Sequence, residues 1–362
     1  MAIIFTDGFE AYADSASDAL KTSMCLDDRY IGGGGSTFSF LSLGSPGIMM
    51  PGTPPGQFLS FSNSTSSNNR LMINFAPTTS ICAGFHVMTN AGSANLITFF
   101  NSSASSASND VIQLYTSSNV LFVKGQVAYS GTATLTTGTW NYIEFQVTTN
   151  GQTMTFNLYL NGQLVLNRSN VQALSSTVSY QNIDSLSIGR GNTSWVSGSG
   201  AIQNYDNFYV TTGERLGLTY MVPVVPVSDT AQKNWLPSDG ADNFAVVNDQ
   251  IIGTSQTYVT ANNVNDADYY DITQINRIDG NTQVLGVLPY MQAAGSPLGT
   301  TSVELKMKNN TTETVVATAS LSASRVSSVT RPSSIMTTNP STSTAWNLAD
   351  VQNMQLGIKR SS

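Results

Sequence analysis

Few side chains in this sequence could carry out catalysis, and they are not grouped. His86 is the only histidine and lies in the apolar run 83–87, where alternation predicts a strand. With so many serines, a Ser-His-Asp triad can always be proposed, but no Gly-x-Ser-x-Gly turn supports one. The segment 197–200, Ser-Gly-Ser-Gly, has the wrong glycine spacing. We therefore expect His86 to be a structural residue.

A carboxylate pair for sugar cleavage is also missing. Glycosidases hold two carboxyl groups on opposite sides of the sugar at a fixed separation, commonly on one strand. Glu144 stands alone on its predicted strand, with Tyr142 and Gln146 as same-face neighbours. Asp27 and Asp28 are adjacent, so on a strand they would point to opposite faces. These residues predict that the protein is not an enzyme.

The thiols predict neither a zinc site nor a disulfide framework. Cys25 and Cys82 are the only cysteines, and with one histidine they cannot form the His and Cys set that zinc normally draws on. Two buried free thiols are the favoured interpretation, and a single bridge is the alternative. No cofactor is expected.

Composition excludes several classes of function. Charged residues make up 10% of the 362, against about 25% in an average globular protein, and Ser, Thr, Asn and Gly take their place. With 15 basic residues and a net charge of −7, nucleic acid is an unexpected partner. No apolar run approaches the length of a membrane span, and the first residues do not resemble a secretory signal.

The elements that must position these side chains are strands. Residues 139–167 alternate with period two and contain Asn150-Gly151 and Asn161-Gly162, which suit tight hairpin turns. We predict a three-stranded antiparallel meander here. Short strand-like runs about 8 to 15 residues apart continue on both sides, as is typical of an all-β sandwich.

The chain is expected to divide in three. Residues 1–212 form the sandwich, and residues 213–227 form an extended linker, because Pro223 and Pro226 forbid helix. Residues 228–362 form a second, smaller β-domain, with strands predicted at 267–272, 282–290, 302–307 and 314–321. A helical turn and a last strand are predicted at 346–351 and 354–358.

The meander resembles a known family. Its pattern is Gly-x-Trp before a strand, an Asn-Gly turn, and a second strand that ends in a hydrophobic-x-hydrophobic-Asn-Gly hairpin. The residues concerned are Gly138, Trp140, Tyr142, Phe156, Leu158, Leu160, Asn161 and Gly162. The pattern resembles laminin-G-like and concanavalin A-like jelly-roll sandwiches, and the copy of that fold at the N-terminus of many bacteriophage virion proteins.

Two further segments agree with the phage version, over roughly residues 1–212. They are Asp7-Gly8-Phe9-Glu10 at the start and 202–210 (IQNYDNFYV) at the end. In such sandwiches the first and last strands pair, which implies that Phe5 lies near Phe208. Residues 228–362 are similar to the C-terminal region of the same phage proteins, which implies a domain for assembly or anchoring.

The resemblance implies two candidate sites. A sugar could stack on Trp195, with Tyr180 and Tyr205 behind it, unless Trp195 is a loop aromatic that covers its own core. Related sandwiches often hold a structural calcium near their chain ends, where Asp7, Glu10 and Asp206 lie in this sequence. The alternative is that these carboxylates cap turns.

The function implied is that of a virion structural protein assembled in the host cytoplasm. The favoured form is a tail or fibre adsorption component whose sandwich contacts a cell-surface polysaccharide. The alternative is a capsid decoration (cement) protein that binds other virion proteins. A bacterial adhesin is less favoured without a signal segment. A homo-oligomer is expected, with a trimer favoured.

Overall fold

The computed structural model of the protein describes residues 2–9, 31–32, 38–41, 58–62, 70–90, 92–101, 110–174, 182–189, 202–248, 257–273, 275, 283–295, 299–309, 311–322 and 327–362. Among them the chain divides into two compact units, with the boundary between Met221 and Val222. This boundary lies inside the segment 213–227. None of the helices in the described part of the chain is long and apolar enough to cross a membrane.

The first unit contains fifteen strands among its described residues. They are β1 (Ile3–Asp7), β2 (Ile31–Gly32), β3 (Phe38–Leu41), β4 (Phe58–Ser62), β5 (Arg70–Thr78), β6 (Ser80–Thr89), β7 (Ala94–Phe100), β8 (Asp110–Ser117), β9 (Val120–Lys124), β10 (Ala128–Thr134), β11 (Asn141–Thr149), β12 (Met154–Leu160), β13 (Gln163–Val171), β14 (Ile183–Gly189) and β15 (Ile202–Thr211).

These strands form two antiparallel sheets that pack face to face. Sheet I has the order β13-β12-β11-β6-β15-β4-β3, with β1 also paired to β15, and sheet II has the order β10-β9-β8-β7-β14-β5-β2. Phe99 of sheet II stacks on Phe145 of sheet I, with ring centroids 5.6 Å apart. Tyr129 of sheet II meets Phe156 of sheet I edge to face, with ring centroids 5.9 Å apart. The predicted all-β sandwich is therefore confirmed.

The meander is present as β11, β12 and β13. Phe145 and Phe156 point into the core, as the alternation predicts. Asn161 and Gly162 both have positive φ, 49° and 82°, which a two-residue primed turn requires. The other turn is built differently: Asn150 keeps negative φ, and its Oδ1 accepts hydrogen bonds from the amides of Gln152 and Thr153.

The first and last strands of the sandwich are paired. β1 runs antiparallel to β15, with Asp7 opposite Phe208. The rings of Phe5 and Phe208 meet edge to face at 6.2 Å, as the resemblance implied. Phe85 stacks on Phe208 from β6, at 5.5 Å, so these aromatic rings close one part of the core.

The second unit is also β-rich. Its elements are β16 (Pro226–Lys233), β17 (Leu236–Pro237), α1 (Asn243–Val247), β18 (Val259–Thr260), β19 (Ala267–Ile272), β20 (Met291–Ala294), β21 (Thr301–Asn309), β22 (Thr312–Leu321), β23 (Ser327–Thr330), α2 (Leu348–Gln352) and β24 (Met354–Arg360). A five-stranded sheet has the order β16-β19-β24-β21-β22, and β17-β18 and β20-β23 form two ribbons.

A buried carboxylate organises one end of this unit. Asp268 is fully buried and accepts hydrogen bonds from the amides of Asn234 and Trp235, the side chain of Asn243 and the hydroxyl of Tyr270. Four donors offset the cost of removing this carboxylate from water. Asp268 therefore joins β19 to the chain before β17 and to α1.

One predicted strand of the second unit is absent. Residues 283–290 make only an isolated bridge, between Val287 and Met336, where the alternation predicted a strand over 282–290. Gly286 lies so close to Ile335 that an added Cβ would stand 2.6 Å from its side chain, and Pro289 has no amide to donate. In an antiparallel ladder residue 289 would be the next donor after Val287, so its missing amide ends the pairing.

The hairpin between β12 and β13 gives a test of the fold. Replacing Gly162 by Ala should destabilise the protein by about 1–2 kcal/mol, because an L-residue is strained at positive φ. No atom lies within 4 Å of the new Cβ, so the effect isolates the backbone. Urea unfolding would measure it. The matched control is Gly131→Ala, whose Cβ would make only ordinary contacts at 3.6 Å. Equal stability of both variants would contradict the turn assignment.

Candidate functional site

A segment without regular structure crosses the outer face of sheet I. Residues 213–221, called the strap here, follow β15 and lie over β11, β6 and β15. Gln146 donates to the carbonyl of Gly213, and Tyr142 donates its hydroxyl to the carbonyl of Gly217. The amide of Met221 donates to Oδ1 of Asn207. Side chains from β11 and β15 thus hold the strap from end to end.

Glu144 lies beneath the strap and is fully buried. Its Oε1 accepts from the hydroxyl of Tyr209 at 2.6 Å and from the amide of Gly217 at 2.9 Å. Its Oε2 faces Arg215, with Nε at 2.8 Å and a second guanidinium nitrogen at 2.7 Å. Both nitrogens face the same oxygen, and this charge-assisted pairing places the charge of Glu144 under a strap that carries its counterion.

Gly84 makes this arrangement possible. It lies between Glu144 and Tyr209 in the register of the sheet. A Cβ on Gly84 would stand 2.1 Å from the ring of Tyr209, so the ring occupies the space that a side chain would fill. Burial, and then the neighbouring ionisable groups, raise the pKa of Tyr209, so it acts as a neutral donor to Glu144.

The sole histidine lies on the same face. His86 is 2% exposed, and its ring lies 4.8 Å from that of Tyr142 and 5.8 Å from that of Tyr220 in the strap. Burial lowers the pKa of His86 to about 4. Cys82, four residues earlier, is a free buried thiol whose pKa burial raises to about 12. The predicted structural role of His86 agrees with this placement.

Beside the strap, polar side chains form a row that solvent reaches. Asn167 of β13, Asn157 of β12 and Gln146 of β11 are neighbours in register. Asn157 donates to Oε1 of Gln146 at 3.1 Å. The guanidinium of Arg215 lies 3.6 Å above the ring of Tyr159. These five residues are called the amide face below, and it combines amides, an aromatic ring and a cation.

Of the three aromatic residues predicted to bind sugar, the structure describes Tyr205. Tyr205 is fully buried, and its hydroxyl donates to the carbonyl of Leu96 at 3.0 Å or to Oε1 of Gln203 at 2.9 Å. It faces the core together with its register partner Val87, and its ring offers no surface to a ligand. Trp195 and Tyr180 lie outside the described residues.

The structure describes two of the three acidic residues predicted to hold calcium, Asp7 and Asp206. Asp7 accepts from the amide of Phe9 at 2.8 Å, and Asp206 accepts from the amide of Asn207 at 2.7 Å. Both bonds agree with the turn-capping alternative. Glu10 lies outside the described residues, as does Cys25. Within the described ranges, no group of three or more His, Cys, Asp or Glu side chains could hold a metal ion. Calcium stays a prediction.

The partners of Glu144 were not predicted from the sequence. Arg215 lies 71 positions away in a segment predicted to be a linker, so no local spacing connects the two residues. One signal was present: Glu144 lies between Ile143 and Phe145, in the apolar and aromatic middle of its strand. A lone carboxylate at such a position requires a buried donor from elsewhere in the chain.

Comparison with known proteins assigns this chain to no family. No family model matches the sequence, and no curated protein does. The chain is similar to the solved structure of cellulose induced protein Cip1, with 14% identity, a TM-score of 0.39, and coverage of 59% of this chain and 100% of Cip1. It is similar to alginate lyase Aly36B, with 14% identity, a TM-score of 0.38, and coverage of 60% and 98%.

A sialidase is also similar, at 12% identity and a TM-score of 0.37, over 58% of this chain. The match spans only 18% of that sialidase. At such low identities and TM-scores, none of these similarities transfers an activity or a ligand. The virion part of the resemblance therefore stays a prediction.

The comparisons do correct one expectation. The sequence predicted that the protein is not an enzyme, and this prediction is contradicted because the similar structures include a sialidase and an alginate lyase by name. The search for a second carboxylate on the strand of Glu144 was too narrow a criterion, since it considered only residues that are close in sequence.

The buried ion pair gives a stability test. Replacing Arg215 by Met should destabilise the protein by about 2–4 kcal/mol, because the buried carboxylate of Glu144 loses its counterion while Arg215 itself is 30% exposed. Urea unfolding would measure this. The double variant Glu144→Gln/Arg215→Met should be less destabilised than Arg215→Met alone. The control is Arg168→Met, whose exposed guanidinium contacts the carbonyl of Asn167. Equal effects of Arg215→Met and Arg168→Met would contradict the role given to the pair.

Proposed function

We propose that the protein is a virion component of the tail or fibre type, whose sandwich contacts a cell-surface glycan through the amide face. The observation that carries the glycan part is the row Asn167, Asn157 and Gln146 on neighbouring strands, beside Tyr159 and Arg215. The virion part is supported by the resemblance of residues 1–212 and 228–362 to phage proteins.

The chemistry of the row matches sugar hydroxyl groups. Each amide has two donor hydrogens and a carbonyl acceptor, and each sugar hydroxyl can also donate and accept. Asn167 is exposed, while Asn157 and Gln146 are half-buried. Because the Asn157–Gln146 hydrogen bond fixes the orientation of both amides, their remaining groups are held ready for a ligand.

Apolar contact is available beside the row. Tyr159 is half-buried and lies opposite Leu164, which is 51% exposed. The rings of pyranose sugars have C–H-rich faces that pack against such surfaces. Arg215 rests on Tyr159 and restricts the motion of its ring, which lowers the entropy lost on binding.

Glycan binding is tested with amide variants. Asn157→Ala/Asn167→Ala should bind about 10- to 30-fold more weakly than the wild type, because two hydrogen-bonding amides are lost. The probe is an array of purified bacterial surface polysaccharides, and binding should be saturable and competed by free polysaccharide. Each incubation is also analysed for new reducing ends and unsaturated sugars, which would identify turnover.

The control is Gln152→Ala, which removes an exposed amide from the turn between β11 and β12. It should bind like the wild type. Wild-type protein that binds no polysaccharide, or a double variant that binds as well as the control, would contradict the proposal.

The alternative is a capsid decoration protein, and one feature of the second unit favours it. In the ribbon β17-β18, Leu236 is 56% exposed and Tyr258 is 61% exposed, and the register places both on one face. An exposed apolar pair of this kind is typical of a protein contact. Loss of particle attachment by Leu236→Ser/Tyr258→Ser, with no glycan binding by the wild type, would select this alternative.

A further inference from the structure

We propose that the glycan bound by the amide face is acidic, and that Arg215 is the residue that selects it by binding the carboxylate of a uronic acid or another carboxylated sugar. This assignment rests on the proposed function, because it names the chemical class of the ligand at the same site. Arg215 is oriented, supported and surrounded in a way that suits a carboxylate.

One side of the Arg215 guanidinium is bonded to Glu144, and its end lies outside that pairing. Nε and Nη2 lie 2.8 and 2.7 Å from Oε2 of Glu144. A guanidinium carries five N–H donors in a fixed plane, so the end formed by Nη1 and Nη2 keeps N–H groups for a second acceptor. The Arg215 side chain is 30% exposed, so a ligand has access to it.

The positive charge of Arg215 is not used up by Glu144. The other oxygen of Glu144, Oε1, accepts from the hydroxyl of Tyr209 and from the amide of Gly217. These donors share in stabilising the buried carboxylate, so Arg215 is not its sole partner. Glu144 is also the only acidic residue in β11, β12 and β13, and the strap adds one more, the exposed Glu214. An anionic ligand on these three strands therefore meets no exposed carboxylate from them.

Tyr159 supports the guanidinium from below. The central carbon of the guanidinium lies 3.6 Å from the centre of the Tyr159 ring. Tyr159 is the register partner of Glu144, so two neighbouring residues of sheet I hold Arg215, one through its side and the other through its plane. A planar group that is already held in this way loses little conformational entropy when it binds a ligand.

The amides beside Arg215 add further donors. Nε2 of Gln146 donates to a carbonyl of the strap, and Oε1 of Gln146 accepts from Asn157. Asn157 keeps its second N–H, and Asn167 adds the amide of its own side chain. Asn157 and Tyr159 are two residues apart on β12, so they project from the same face. An acidic sugar would place its carboxylate at Arg215 and its hydroxyl oxygens at these N–H groups.

A carboxylate fits the end of Arg215 better than a hydroxyl group does. The two oxygens of a carboxylate lie in one plane, and the end of a guanidinium offers them two parallel N–H bonds. A sugar hydroxyl offers one uncharged oxygen and forms a weaker bond. The charge-assisted pair should therefore strengthen binding about 10- to 100-fold over the same sugar without its carboxylate.

The experiment compares each acidic polysaccharide with its own carboxyl-reduced form. The probes are purified bacterial surface polysaccharides, both neutral and acidic, and carbodiimide activation followed by borohydride converts the uronic acids of each acidic probe into neutral sugars. Dissociation constants are measured at constant salt for the full wild-type chain and for two variants. Arg215→Lys keeps a positive charge opposite Glu144 and removes the planar end. Arg168→Lys is the matched control, because it makes the same change at an exposed guanidinium that contacts the carbonyl of Asn167.

The wild type should bind an acidic polysaccharide about 10- to 100-fold more tightly than its carboxyl-reduced form. Arg215→Lys should lose most of this preference, and Arg168→Lys should keep it. Because the preference is a ratio measured on one protein sample, partial unfolding of Arg215→Lys does not change it. Should Arg215→Lys not fold at all, the two forms of each probe on the wild type decide alone.

Three outcomes would overturn the assignment: equal binding of the acidic and reduced forms, binding of neutral polysaccharides only, or a wild-type preference in Arg215→Lys. Each of these leaves glycan contact in place and removes only the carboxylate. Binding of no polysaccharide at all would contradict the proposed function and the assignment together.

Discussion

The burial of one negative charge governs much of the first unit. Glu144 is removed from water on the central part of sheet I, and a carboxylate at such a position is stable only when its oxygens are occupied by donors. The donors come from β15 and from the strap, so the charge can be satisfied only when both are in place. The strap then brings Tyr220 onto His86 and Arg215 onto Tyr159. The buried ring and the amide face thus both depend on Glu144.

The strap also explains the amino-acid sequence of β6. A strand covered on one face alternates between apolar and polar residues, but β6 is buried along nearly its whole length. Ile81, Ala83, Phe85 and Val87 face the core, while Cys82, Gly84 and His86 face the strap. The outer residues are small or weakly polar because the strap, and not water, covers them.

Much of the fold could be predicted because its signals are local. Alternation and Asn-Gly turns identified the meander, and β19, β21, β22 and β24 lie where their runs predicted strands. The prediction of a strand over 282–290 was wrong because alternation does not take account of Pro289, which has no amide to donate after the Val287–Met336 bridge. The sugar-binding site was predicted less well, since Tyr205 was assigned to it from residue type alone. Tyr205 shares the core face with its register partner Val87, and the register between β15 and β6 cannot be read from either strand's sequence alone.

Because residue 84 is glycine, the amino-acid sequence of this protein is also constrained in how it can change during evolution. Since the ring of Tyr209 occupies the volume of a Cβ on Gly84, a change at either position alone is penalised: a larger residue at 84 collides, and a smaller one at 209 leaves a void and removes a donor from Glu144. Homologous sequences should therefore show the two positions changing together, with a larger residue at 84 accompanied by a smaller one at 209. Such covariation would mark strap-covered sandwiches in sequences too distant for ordinary alignment scores.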